Sequence, residues 1–191
     1  MANSPQESGF GLQRGKVFPA SHARSLVSPL RRFVQSPERT VAAIGIGRDD
    51  RVLELGCGPG YFSTALVQAT RGGVVLLDLQ AEMLEMTRER VRAEDWSFRV
   101  QADGARLPFA DASFDVVFVA TVLGEIPDRG ECFDEVRRIV RLGGVLAVAE
   151  TRRDSDFIAL PALKSLAAQH GFRFSEKRGV GWQYVARFRP T

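Results

Sequence analysis

The chain has 191 residues, 45% of them hydrophobic, with a net charge of +3 and two cysteines. That length suits one domain with a substantial core. Cys57 and Cys132 form neither a disulfide framework nor a metal spacing and fit a reducing cytoplasm. The basic residues fall in short clusters such as Arg31-Arg32 and Arg152-Arg153, not in the stripe that nucleic acid requires, and the apolar stretch near Val116–Leu123 is too short to span a bilayer.

Residues 1–15 are polar and glycine-rich without an apolar signal core, so disorder is expected there and no leader. From 16 to 47 the pattern is patchily helical. Leu26, Leu30, Phe33 and Val34 share one side, and Ser36-Pro37-Glu38 reads as a helix start, with Ser as cap and Pro at the first position. Val41, Ala42 and Ile44 give that helix its inward side. From 48 to 191 strands and helices alternate. Strands are expected at 51–55, 74–78, 97–101, 115–120 and 145–150, and helices at 61–70, 81–92, 129–140 and 158–169. Runs such as Val116-Val117-Phe118-Val119 are apolar on both sides, the mark of a parallel strand covered on both faces. The end differs: 172–177 and 182–188 both alternate, joined by Gly179-Val180-Gly181. Strands so close must pair antiparallel, because a parallel crossover needs a dozen residues or more. The fold class expected is α/β: a Rossmann-like doubly wound sheet, mostly parallel, with a C-terminal antiparallel hairpin.

The first expected strand runs Val52-Leu53-Glu54-Leu55 into Gly56-Cys57-Gly58-Pro59-Gly60. A strand, a glycine turn and a helix make a corner where a ligand lies against bare main chain. The dinucleotide fingerprint is G-x-G-x-x-G. Here Tyr61 stands where the third glycine belongs, and that glycine comes one residue early, at Gly60. The second strand ends in Asp78, the third runs into Asp103-Gly104, and the fourth ends in Ala120-Thr121. In an open α/β sheet these strand ends converge on one crevice. Each acid also has a structural reading: Glu54 as a cap of the next turn, Asp78 as a helix cap, Asp103-Gly104 as an ordinary turn. The E-x-G-x-G-x-G form, the second acid, the Asp103-Gly104 step and Arg141-Leu142-Gly143-Gly144 come in the order and spacing of the class I S-adenosylmethionine (SAM) dependent methyltransferases. The chain resembles that family, most of all its ubiquinone and menaquinone biosynthesis branch.

The resemblance implies a seven-stranded sheet and a SAM-binding core at 48–191, with 16–47 as a helical lid. It implies that SAM is the cofactor and S-adenosylhomocysteine the product. Asp78 would take the ribose hydroxyls, and Asp103 with Gly104 the adenine edge. Leu79 and Met83 would flank the adenine. Gly56, Cys57, Gly58 and Gly60 would receive the methionine end, Glu54 would organise its ammonium, directly or through water, and Ala120 and Thr121 would complete the wall. No catalytic base is fixed, since relatives carry histidines after the fourth strand where this chain has Glu125-Ile126-Pro127-Asp128. Glu125, Glu150 and His22 are the candidates. His170, followed by Gly171, reads as a helix end. The acceptor expected is a small molecule met by the segment around Phe18, Arg24, Arg31 and Arg32. The alternatives are a protein or RNA acceptor, or a SAM-binding module without catalysis. A nucleic-acid partner, a metal and a membrane span are not expected, and the chain is expected to be a monomer or homodimer.

Overall fold

The computed structural model describes residues 18–28, 31–32, 35–91, 96–180 and 182–191. The disorder expected for 1–15 and the inward side assigned to Leu30, Phe33 and Val34 lie outside them. Seven strands form one sheet in the order β3-β2-β1-β4-β5-β7-β6. They are β1 Val52–Leu55, β2 Val74–Asp78, β3 Ser97–Gln101, β4 Phe114–Ala120, β5 Val140–Thr151, β6 Phe172–Arg178 and β7 Gln183–Pro190. The first five neighbours pair parallel. β7 lies antiparallel between β5 and β6, the hairpin expected from the alternation.

The helices are α1 Pro37–Ile44, α2 Ser63–Ala69, α3 Ala81–Arg90, α4 Arg129–Ile139 and α5 Leu160–Gln169. Before them, Ala20–Val27 winds as a 3-10 segment. Local chemistry sets the helix ends. Ser36 accepts the Arg39 N–H, Pro37 fills the first position and Gly45 closes α1 at φ 74°. Asp128 caps α4 by accepting the Glu131 N–H at 3.0 Å. His170 ends α5 before Gly171, at φ 73°, and its Nδ1 lies 2.6 Å from Asp134 Oδ1.

Two buried clusters cover the two faces of the sheet. Leu53, Leu55, Val117, Val119, Leu146 and Val148 pack with Phe133, Ile139 and Leu163 from α4 and α5. Val52, Val116, Phe118 and Ala147 pack with Val41, Ile44 and Leu66 from α1 and α2. Alternate residues of each central strand thus enter opposite cores, which is why these strands read as continuously apolar. Each such side chain contributes about 1.5–3 kcal/mol by leaving water. That burial holds the strand ends rigid where the loops must meet.

Most element ends fall within two residues of expectation, and one boundary differs by more. β5 starts at Val140, not near 145, and no separate turn precedes it. Phe114 pairs with Val140, but Val116 pairs with Val145. The extra residues bulge out of the ladder and leave Leu142 exposed. Gly143 takes φ 81° there. A Cβ on Gly144 would sit 2.8 Å from the Asp115 carbonyl, so the glycine pair permits the bulge.

Candidate active site

A cavity of about 540 Å³ opens beyond the carboxyl ends of β1, β2, β3 and β4, where strand order reverses. The glycine loop forms its floor. Gly56, Gly58 and Gly60 take φ of 73°, 53° and 80°, a region costly for other residues. The N–H groups of Gly56 and Cys57 both donate to the Leu77 carbonyl, at 2.8 and 2.9 Å. The Thr87 hydroxyl donates to the Gly58 carbonyl at 2.6 Å, tying the loop to α3. The glycines do different work. A Cβ on Gly56 would lie 2.5 Å from Val122 Cγ2, whereas one on Gly58 would meet nothing within 4 Å. Gly56 lets two chain segments touch; Gly58 faces open space.

Asp78 is buried at the end of β2. One carboxylate oxygen accepts the Gly58 N–H at 2.8 Å and the other the Gln80 N–H at 3.0 Å. Burial raises its pKa, and these N–H groups hold the shift back. Asp103 accepts the Ala105 N–H at 2.9 Å, the turn bond of an Asx residue. Both acids keep lone pairs for a ligand. Thr121, a β-branched residue, sits at φ 52°, an uncommon and strained conformation. Its N–H is held by the Ala149 carbonyl at 3.0 Å.

Of the residues singled out in the sequence, Gly56, Cys57, Gly58, Asp78, Leu79, Met83, Asp103, Gly104, Ala120, Thr121 and Glu125 line this cavity. Four others do not. Glu54 lies beneath the N-terminus of α2, where its carboxylate accepts the Ser63 hydroxyl at 2.6 Å. Burial, and then the charge of Asp78, push it up to about 8. Gly60 packs against Thr87 and Arg90 of α3. Glu150 is buried under Ile158, whose N–H it accepts at 3.4 Å, and burial pushes it up to about 8. His22 stands in the 3-10 segment beside Phe18, ring centroids 6.5 Å apart, outside the lining. Cys57 is buried, and burial followed by the charges of Glu54 and Asp78 raises its thiol well above the usual range, so it stays a thiol.

Glu125 faces the cavity after β4. It accepts the Phe18 N–H at 2.9 Å. Burial, aided by the charges of Asp154, Asp156 and Asp78, pushes it up to about 7. The Phe18 carbonyl in turn accepts from the Gln80 side chain at 2.9 Å. Phe18 therefore bridges Glu125 and Gln80 on two sides of the cavity through its main chain. Behind it, Arg31 lies over the Tyr61 ring at 4.3 Å, and the Tyr61 hydroxyl donates to the Gln35 carbonyl at 2.8 Å. Sequence reasoning missed the parts played by Gln35, Gln80, Asp154 and Tyr61. Their signal is weak, because each acts through partners distant in the chain.

The residues fit a ligand that carries positive charge. The wall holds Asp78, Asp103, Glu125 and Asp154, together with Arg31 and Arg153, beside the half-buried Gly58. Among the described residues, no group of three His, Cys, Asp or Glu is placed to hold a metal ion. No helix among them is long and apolar enough to cross a membrane.

Comparison with known proteins agrees with this geometry. A family model described as "Methyltransferase domain" matches residues 53–148. The chain is 34% identical over 116 residues to methyltransferase GfsG of Streptomyces halstedii, covering 59% of this chain and 42% of that one. It is 39% identical over 111 residues to a demethylmenaquinone methyltransferase of Mycobacterium sp. (strain KMS), covering 58% and 46%. The chain thus spans about half the length of the curated relatives it matches. A SAM-dependent methyltransferase structure from Aquifex aeolicus superposes with a TM-score of 0.82 at 18% identity, over 92% of this chain and 100% of that one. The chain belongs to the methyltransferase-domain family and has the class I fold of the SAM-dependent enzymes.

Proposed function

We propose that this chain binds SAM in the cavity and transfers its methyl group to a small-molecule acceptor, releasing S-adenosylhomocysteine. The observation that carries the reading is the convergence of Asp78, Asp103 and Thr121, from three strand ends, around the open face of Gly58. Bound SAM supplies a methyl group activated by a sulfonium. In the proposal Asp78 accepts from the ribose hydroxyls in a charge-assisted contact. Asp103 and Gly104 take the adenine edge, with Leu79 and Met83 against its faces. Gly56 and Gly58 receive the methionine end on bare backbone. The chain's chief contributions are positioning and electrostatics.

Of the three candidate bases, Glu125 is the one that lines the cavity. With its carboxyl pushed up to about 7, it is suited to take a proton from the acceptor near neutral pH. Phe18 and the 3-10 segment serve as the lid. The modest cavity and the small-molecule methyltransferases among the relatives support a small acceptor.

Calorimetric titration with SAM, S-adenosylhomocysteine and NADH tests the reading. Binding of the first two and not the third is expected. Binding of NADH alone overturns the assignment of the glycine loop.

A further inference from the structure

The amide between Gly58 and Pro59 is the one place in the glycine loop where the main chain has a carbonyl and no N–H, because proline lacks it. Only the carbonyl can anchor it. Gly58, at φ 53°, has little steric preference of its own, so the orientation of this amide is set by what its carbonyl bonds to. That partner is Thr87 of α3, whose hydroxyl donates to it at 2.6 Å. The Cys57 thiol adds a weaker approach at 3.6 Å. On the other side of the same residue, the Gly58 N–H is held by Asp78 at 2.8 Å.

Thr87 is placed for this and for nothing else in the cavity. It is 0% exposed and does not line the cavity. A threonine inside a helix commonly turns its hydroxyl back to a carbonyl of the preceding turn, whereas this one reaches across to the loop. Met83, one turn earlier on α3 and so on the same side of the helix, does line the cavity. One buried helix face therefore supplies both a piece of wall and the tether of the loop. The third glycine fits the same account. Gly60 lies outside the cavity lining, yet a Cβ there would stand 3.3 Å from Thr87 Oγ1 and 3.4 Å from Thr87 Cα. It leaves room for the threonine.

We propose that Thr87 is a positioning residue for the methyl donor: its hydroxyl fixes the Gly58 carbonyl, and with it the side of Gly58 that the cavity presents, in the orientation that receives SAM before SAM arrives. This rests on the SAM reading above. Thr87 acts through Gly58 and makes no contact with the ligand. Without the hydroxyl the amide divides its time among orientations, and the apparent dissociation constant rises as the competent fraction falls.

The test is calorimetric titration of the whole chain with SAM, with urea unfolding of each variant alongside. Thr87→Val keeps the size and drops the hydroxyl. Thr87→Ala drops the hydroxyl without setting a methyl against the carbonyl. Both should bind SAM about tenfold more weakly than the wild type, the scale of one buried hydrogen bond. Thr87→Ser keeps the hydroxyl and loses the methyl. It should unfold at lower urea than the wild type and yet bind SAM within about twofold of it. A residue that merely packs gives the opposite pattern, with affinity kept in Thr87→Val and lost in Thr87→Ser, and that pattern overturns the proposal. So does unchanged affinity in Thr87→Ala, or an affinity in Thr87→Ser as low as in Thr87→Ala. If Thr87→Val does not fold, the alanine and serine variants decide the matter by themselves. If the wild type binds no SAM, it is the SAM reading itself that fails.

Discussion

The two walls of the cavity are held by different means. The glycine-loop wall hangs from β1, β2 and β4, parallel strands covered on both faces, and its positions follow from strand register. The opposite wall, formed by Phe18, Leu26, Ser28, Arg31 and Gln35 and the turn from Thr151 to Ser155, has no strand beneath most of it among the described residues. It is tied by single hydrogen bonds, such as Phe18 to Glu125 and Gln80 to Phe18, and by the stack of Arg31 on Tyr61. A rigid wall suits a ligand whose shape never varies. A wall tied by a few bonds can be rebuilt for different acceptors without disturbing the sheet.

The comparison breaks most sharply at the loop glycines. Gly56→Ala adds a left-handed strain of about 1–2 kcal/mol to a 2.5 Å clash with Val122, for a loss of about 3 kcal/mol in urea unfolding. Gly58→Ala carries only the strain, about 1 kcal/mol, and should instead damage SAM binding, because its methyl projects into the cavity. If the two substitutions cost equal stability, the division of labour between these glycines is wrong.

Asp78→Ala comes next. It should weaken SAM binding by about 1.5–3 kcal/mol, read by titration. It also leaves the N–H groups of Gly58 and Gln80 without their acceptor. Unchanged affinity would remove Asp78 from the site.

Glu54 gives an effect that depends on pH. Its folded-state pKa is raised from 4.5 to about 8, so between those values the folded chain holds a proton that the unfolded chain has lost. Stability therefore falls as pH rises from about 4.5 to about 8, then levels off. Glu54→Gln removes that slope. Relative to the variant, the wild type should lose up to about 4 kcal/mol between pH 5 and pH 9. Parallel pH profiles would show that Glu54 is ionised and solvated after all.

Much of the glycine-loop wall was legible in the sequence, because short-range patterns encode it. β2 and β3 match their expected spans, β1 and β4 differ by a single residue, and Ser36-Pro37 marks the true start of α1. The placement of Asp78, Asp103 and Thr121 followed from counting to strand ends. Where contacts cross the chain, the reading ran out. Nothing local says that Glu54 turns beneath Ser63, away from the cavity, or that Val140 already pairs with Phe114. The opposite wall was the least legible part. Its apolar spacing suggested helix, yet Ala20–Val27 is 3-10. Its contacts join Arg31 to Tyr61 and Phe18 to Glu125, and no period in the sequence reports such pairs.

The bonds that Phe18 makes to Glu125 and Gln80 run through its amide and carbonyl, not its ring. A latch made of main chain is indifferent to the side chain it carries, and proline alone among the common residues lacks the N–H it needs. Position 18 is therefore free to change its ring for another side chain, and so to re-tailor the mouth for a new acceptor, while the latch itself is inherited unchanged.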